Sequence, residues 1–365
     1  MSLALSSSDP AARPAAAVGG TGAAHVVLAA LLLLYPAVAS DFFLTQIGAY
    51  SLILGMIALS LMLLAGYGGM VSLAQISVAG MAGYTVAIFG LNSSAVHGFG
   101  WPWWIVVPMA VAVGGVVSAL IGAISTRTEG IYTIMITLAV ATAIFYFTQQ
   151  NYALFNGFPG FAGIRAPEFW GVAWRDPLPF YYLTLAVAAL AYAAVLYARR
   201  STFGLALQAI RDNPRRMRAI GFDVTAHKVV AWFYAGLIAG LAGVLLVWFN
   251  GRISPGTINV GAAINILIIA VIGGMRHPIG PFLGAVVVVL MQTFAIDIIG
   301  AERFNTLIGL FFLVIVFASP DGLLGLWGRL KPRLASPSLG AGQDGGGHRA
   351  ANLASNAEQT GRREE

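Results

Sequence analysis

Apolar residues run through the chain in blocks of roughly twenty, which is the length an α-helix needs to cross about 30 Å of hydrocarbon. The blocks fall at 25–40, 42–65, 71–91, 103–124, 131–150, 178–198, 227–249, 261–275, 279–299 and 303–319, with short polar breaks between them. This pattern predicts an all-α polytopic membrane protein of about ten transmembrane helices, some short or broken, with the membrane domain over 25–319. Residues 1–24 are Ala/Ser/Gly/Pro-rich with one basic residue, Arg13, and read as a disordered cytoplasmic tail. Residues 320–365 read as a second cytoplasmic tail, disordered after about 335. The first block ends in Ala37-Val38-Ala39-Ser40, a small-residue stretch resembling a signal-peptidase site. A cleaved leader and a retained helix both fit. The single positive charge before the block favours the helix. The block at 261–275 is also short and reads as a tilted or re-entrant helix.

Composition supports a lipid environment. Of 365 residues, 58% are hydrophobic and 9% are charged, whereas soluble domains carry about 25% charged residues. The 44 glycines suit close helix contacts in lipid. Cysteine is absent, which excludes disulfides, thiolate metal sites and a thiol nucleophile.

The charges set an orientation. Arg199, Arg200, Arg211, Arg215, Arg216, Arg218 and Lys228 crowd the loop 199–228, against Asp212 and Asp223. Arg329, Lys331 and Arg333 follow the last block. Basic loops stay in the cytoplasm, and the even number of spans between these clusters allows both to be inside. Counting back puts Arg127 and the N-terminus inside as well. The loop 151–177 then faces out, with Arg165 and Arg175 balanced by Glu168 and Asp176. Trp101, Trp103 and Trp104 fall at the outer interface as an aromatic belt, and so do Trp170, Trp174, Tyr181 and Tyr182.

The fourteen acidic residues all lie in tails, loops or span ends, with Asp297 and Glu302 the deepest. Ion-coupled carriers generally hold an ionisable group at mid-membrane, so the energy source is expected outside this chain. The phosphate-binding pattern G-x-x-x-x-G-K-[ST] is missing as well. No catalytic residue, metal site or bound cofactor is predicted. A self-contained channel or secondary carrier is the rival reading. An intramembrane enzyme is disfavoured, since no His/Glu metal set or Ser/His pair sits at membrane depth.

Three segments carry candidate chemistry. In the loop 199–228, Asn213 and Pro214 form an N-cap and N1 pair, Arg215, Arg216, Met217, Arg218, Ala219 and Ile220 follow, and Gly221 can stand at C′. This predicts a short basic helix where a cytoplasmic partner could dock, with Met217 and Ile220 available to enter a groove. The alternative is a solvated positive loop. Glycines and polar residues interrupt the apolar run from Gly66 to Gln75. Broken helix is tolerated in lipid only where protein or a water-filled cavity covers it, and transporter sites often use it. Ser72, Gln75, Ser77, Tyr84 and Thr85 are therefore candidates for a substrate path. For each one the competing reading is a hydrogen bond to its own helix. The third segment, Gly273 to Gly284, is a tight turn between two short spans. Gly280 with Gly284, and Gly236 with Gly240, are small-xxx-small packing pairs.

Together these segments resemble the permease subunits of branched-chain amino acid ABC importers, in particular the longer of the paired permeases. The family pattern G-Y-x-G-x-x-S-L-[GA]-[HQ] is met by Gly66, Tyr67, Gly69, Ser72, Leu73, Ala74 and Gln75. Gly80, Gly83, Tyr84 and Thr85 follow as in its G-x-G-A-Y-T stretch, and Gly130, Tyr132, Thr137, Leu138 and Ala139 match a later one. Phe203 through Asn213 is similar to its G-R-A-L-x-A-I-R-E-[DN] segment, and Gly273 through Ala285 to its G-G-x-G-x-x-x-G-P-x-x-G-A. The resemblance implies the ABC importer permease fold in a bacterial inner membrane. The implied partners are two ATP-binding subunits that use ATP and Mg²⁺, a second permease and an external solute-binding protein. No nucleic acid is implied. The 213–221 segment becomes the coupling helix, and Thr137 joins the substrate-path candidates. The importer motif E-A-A-x-x-x-G keeps only its glycine here, Gly221, and the family's outer T-G-G-x-x-G is replaced by Asn156 through Gly160. The solute therefore stays open among branched-chain amino acids, urea or short amides, and aromatic acids.

Overall fold

A computed structural model describes residues 30–92, 98–128, 130–169, 172–299, 301–318, 322–323 and 325. The chain divides into units 1–325 and 326–365, and the second lies outside the described residues. In chain order the helices are α1 (Phe43–Tyr67), α2 (Gln75–Phe89), α3 (Trp103–Ser125), α4 (Ile131–Gln150), α5 (Pro177–Arg200), α6 (Thr202–Asp212), α7 (Pro214–Ala219), α8 (Val224–Asn250), α9 (Val260–Gly273), α10 (Gly280–Ile299) and α11 (Ala301–Ala318). A single helical turn covers Tyr152–Phe155. Two short antiparallel pairs complete the architecture. β1 (Phe161–Ala162) pairs with β4 (Arg252–Ile253), and β2 (Glu168–Phe169) with β3 (Val172–Ala173).

Five of these helices, α1, α3, α4, α5 and α8, are long and apolar enough to span a membrane among the described residues. Helices α2 and α9 are apolar but shorter, and the apolar stretch Gly280–Phe294 of α10 is fifteen residues long. The chain is an all-α, multi-pass membrane protein. Hydropathy does not say which helix is central. The most apolar stretches of α1 and α3 have mean hydropathies of 2.2 and 2.3, yet they are 83% and 39% buried. In lipid an apolar helix is content on either side, so packing decides. Helix α1 lies against α8, α9 and α10, and α8 lies against α2 and α3.

Small residues make that packing possible. On α3, Gly114, Ser118 and Gly122 recur every four residues and so share one face. On α8, Trp232, Gly236 and Gly240 do the same. A Cβ on Gly114 would stand 3.0 Å from the Gly236 carbonyl oxygen and from Gly240 Cα. The Ser118 hydroxyl donates to the Trp232 carbonyl across this crossing at 2.7 Å. Gly243 lies one turn further on, and a Cβ there would meet the Ala79 backbone of α2, 2.9 Å from its Cα. In the first turns of α10, a Cβ on Gly280 would lie against the carbonyls of Gly273 and Gly274, and one on Gly284 would stand 2.8 Å from the Gly273 nitrogen. Lipid supplies no hydrophobic drive between helices, so these close approaches supply the attraction.

The connections gather at two faces. Segments 66–74, 199–223 and 274–279 meet at one of them, which carries the basic cluster. Segments 98–102, 151–169 and 251–259 meet at the other, where β1 pairs with β4 and Ile164 N–H donates to the Gly251 carbonyl at 3.0 Å.

Several expectations change in detail. The block 71–91 is helical only from Gln75 to Phe89, because residues 69–74 run as non-helical backbone. The loop 199–228 holds two helices, α6 and α7, rather than one. Tyr181 does not join the aromatic belt: it is buried, and its hydroxyl donates to the Leu32 carbonyl at 2.9 Å. Residues 30–34 are helical and lead into a tight turn at Tyr35–Ala37 that packs on α5 through the Tyr35–Tyr181 ring contact. The tail 1–24, most of the tail 320–365 with Arg329, Lys331 and Arg333, and Trp170 lie outside the described residues.

Candidate functional site

The glycine break is built at the basic end of α1. That helix opens into wider π turns over Leu63–Tyr67 before it stops. Gly69 has φ +68°, a left-handed conformation that favours glycine. Its missing side chain also matters, because a Cβ there would stand 2.7 Å from Arg211 Cγ. The chain then runs as non-helical backbone through Met70–Ala74, and its backbone donors need partners in a place without water. Leu73 N–H donates to Thr137 Oγ1 of α4 at 3.2 Å, and Ala74 N–H donates to Ser72 Oγ at 3.2 Å. Gln75 opens α2 and its side-chain oxygen accepts from Ser60 Oγ of α1 at 3.1 Å. The Gln75 amide nitrogen and the Ser77 hydroxyl are buried without a hydrogen-bond partner. Such orphaned groups in a low-dielectric interior are costly.

The break is also tied to the basic loop. Arg211 of α6 donates from Nη1 to the Gly66 carbonyl. Its Nε donates to Asp212 Oδ1 at 2.9 Å, within the one ion pair among the described residues. The Met275 carbonyl from the α9–α10 turn lies against Gly66, and the Arg199 guanidinium sits 5.9 Å from the centre of the Tyr67 ring. One short stretch of chain is thus touched by α1, α4, α6 and the 274–279 turn.

Helix α7 hangs from this clamp. The Asn213 side chain caps it by accepting from Arg216 N–H at 2.9 Å, and Pro214 fills N1. Gly221 follows at φ +92°, with the Phe222 N–H returning to the Met217 carbonyl at 3.1 Å. Arg215, Arg216, Arg218, Ala219 and Ile220 are exposed. Met217 is not available to an outside groove: it is buried against Ile210 and Val224 of the same chain. Ile220 is therefore the apolar side chain that α7 presents outward.

The candidate path residues separate into two groups. Ser72, Gln75 and Thr137 meet at the break. Ser77, Tyr84 and Thr85 continue along α2, where Thr85 bonds its own helix at the Met81 carbonyl and Tyr84 packs edge-on to Phe155 of the far face. All six are buried within the chain. Gly236, Gly240, Gly280 and Gly284 lie at the helix contacts described above. Two participants escaped sequence reasoning. Ser60 is a single hydroxyl in an apolar run whose partner lies fifteen residues away. Arg211 reads in sequence as one more positive loop residue.

The profile of the family described as branched-chain amino acid transport system, permease component, matches residues 43–318. The high-affinity branched-chain amino acid transport system permease protein LivM of Salmonella typhimurium is 25% identical over 291 residues, covering 73% of this chain and 65% of that protein. LivM of Escherichia coli is 24% identical over 333 residues, covering 84% of this chain and 76% of that protein. The nucleoside ABC transporter permease protein NupC of Lactococcus lactis subsp. cremoris is 24% identical over 241 residues, covering 63% of this chain and 74% of the relative. No solved structure matches. A match over 43–318 takes in every helix from α1 to α11, the glycine break and the clamped basic loop, and the chain belongs to the branched-chain amino acid transport system permease component family.

Proposed function

We propose that this chain is the permease subunit of an ATP-binding-cassette importer that moves branched-chain or related amino acids across a bacterial inner membrane. The family match supports this reading, and the observation that carries it is Arg211. One side chain joins the loop that presents α7 to the glycine break that positions Gln75, so a push on α7 would reach the polar groups on α2. In this reading two ATP-binding subunits seat on the basic face, using their own ATP and Mg²⁺. A second permease completes the pathway, and a solute-binding protein delivers from the opposite face. Basic segments stay cytoplasmic, so both termini are placed inside and the β1–β4 face outside. Arg215, Arg216, Arg218 and Ile220 are the groups α7 offers to an ATPase.

A nucleoside is the second solute reading, favoured by the similarity to the Lactococcus permease. Proteoliposomes holding this chain with its neighbouring ATPases, second permease and binding protein test both. Labelled leucine is expected to accumulate only with ATP, and at least tenfold above uridine. The reverse preference would reassign the solute. Uptake by this chain alone, without ATP, would contradict the importer reading.

A further inference from the structure

Helix α1 is wound wide at both ends. Phe43–Ala49 and Leu63–Tyr67 follow the π pattern, in which each N–H reaches back five residues rather than four, and Tyr50–Met62 between them is α-helical. Such segments are rare and cluster at functional places, so two in one helix need a reason. Both are held from outside α1. A Cβ on Gly48 would stand 2.9 Å from the Tyr181 ring of α5, and one on Gly66 would meet the Met275 carbonyl. Arg211 takes the Gly66 carbonyl as its acceptor. The middle is held differently. All of its residues but Tyr50 and Leu52 are buried, and the buried ones are apolar except Ser51 and Ser60. A helix that is apolar all round, in an apolar surround, gains or loses little by turning about its axis.

The two serines define the register. They lie nine residues apart and so on opposite faces. Ser60 shares its hydroxyl proton between the Ile57 carbonyl at 2.7 Å and Gln75 Oε1 at 3.1 Å. Ser51 Oγ is buried with no partner. A serine inside an α-helix can bond the carbonyl four residues back. For Ser51 that residue is Ile47, which stands in the wide stretch. We propose that α1 is a two-register helix whose middle, Tyr50–Met62, turns between clamped ends. When the 43–49 stretch tightens to α and the 63–67 stretch widens, the middle turns by about 100° and slides by about 1.5 Å, the angle and rise of one residue. One backbone hydrogen bond is gained at the first end and one is lost at the second, so the exchange is nearly neutral. Ser51 then reaches the Ile47 carbonyl, and Ser60 leaves Gln75. The whole Gln75 amide is released beside Ser77, whose hydroxyl is also without a partner. The turn is thus a gate on the polar groups of α2, and Arg211, on the Gly66 carbonyl, is placed to bias it. The two registers belong to this chain alone. That ATP drives their exchange rests on the importer reading.

Tyr50, the first residue of the turning segment, reports the register, because its ring stacks on Phe249 of α8 at 5.2 Å and 16°. The test replaces Tyr50 by 4-trifluoromethylphenylalanine in the full chain in phosphatidylcholine nanodiscs and reads the fluorine NMR spectrum. Two resonances are expected, from the stacked and the unstacked ring, or one averaged line between them. Phe249→Leu should displace the stacked line and so assign it. Ser60→Ala should raise the unstacked share about threefold or more, and Ser51→Ala should lower it by a similar factor. Loosened packing would move both variants the same way, so the opposite signs identify a register change. In the assembled importer, ATP with vanadate should make the unstacked line the major one. A line that neither serine variant moves overturns the proposal, and so do shifts of the same sign in both. Opposite shifts in the isolated chain with no response to ATP would uphold the two registers and count against the importer reading instead.

Discussion

Gly243→Val is expected to destabilise the folded protein severely. A Cβ at Gly243 already meets the carbonyl of Ala79 and stands 2.9 Å from its Cα. The obstacle is backbone of α2, not the end of a side chain that could rotate away. Both helices lie at the centre of the fold, and α8 also holds α3 through Gly236 and Gly240. Moving α8 outward would open that second contact. Overpacking commonly costs about 1–3 kcal/mol and more where relaxation is blocked, against a total stability of about 5–15 kcal/mol. The variant should lose most of its monodisperse fraction on size exclusion in detergent. Gly309→Val is the control, since a Cβ there meets nothing within 4 Å. It should elute and melt like wild type. Wild-type yield and melting midpoint for Gly243→Val would mean that α2 and α8 do not approach as described.

Arg211→Ala is expected to uncouple the machine without dissolving it. The substitution removes the bond to the Gly66 carbonyl and the aliphatic stem that covers Gly69. A charge-assisted hydrogen bond contributes about 1.5–3 kcal/mol. Spent on transmitting motion from α7 to the break, that is about ten- to one-hundredfold in rate. Uptake should fall by that factor while the ATP-binding subunits still co-purify, because Arg215, Arg216, Arg218 and Ile220 are untouched. Arg211→Lys should recover only part of the rate. A single ammonium cannot reproduce the fork that serves Gly66 and Asp212 together. Unchanged uptake in Arg211→Ala would remove the clamp from the mechanism.

The sequence made helix positions legible because lipid imposes a length. Blocks such as 103–124 and 131–150 fall on α3 and α4 to within a residue. The interruption at Gly66–Gln75 was legible for a related reason, since glycine and polar residues are expensive in hydrocarbon without a purpose. Arrangement was not legible. Helices α1 and α3 have nearly the same hydropathy, and only packing makes the first a core helix. The glycines of α3 and α8 show that each can be approached closely, but not by which partner. Tyr181 carries the signal of an interface aromatic and is instead buried under the 30–37 segment. Met217 reads as outward on a short helix, yet a cluster with Ile210 and Val224 turns it inward. In the site, Gln75 and Thr137 could be named from sequence. Their partners, Ser60 on α1 and the non-helical Leu73 backbone, depend on a tertiary contact that no local pattern encodes.

The central claim is that α7 passes force from an ATPase to this chain. The direct measurement is to replace residues 214–221 with a Gly/Ser linker of equal length, then assay ATPase co-purification and ATP-driven uptake on the same preparation. Loss of both is predicted, with the elution profile and melting midpoint of the membrane domain retained. Survival of both would contradict it.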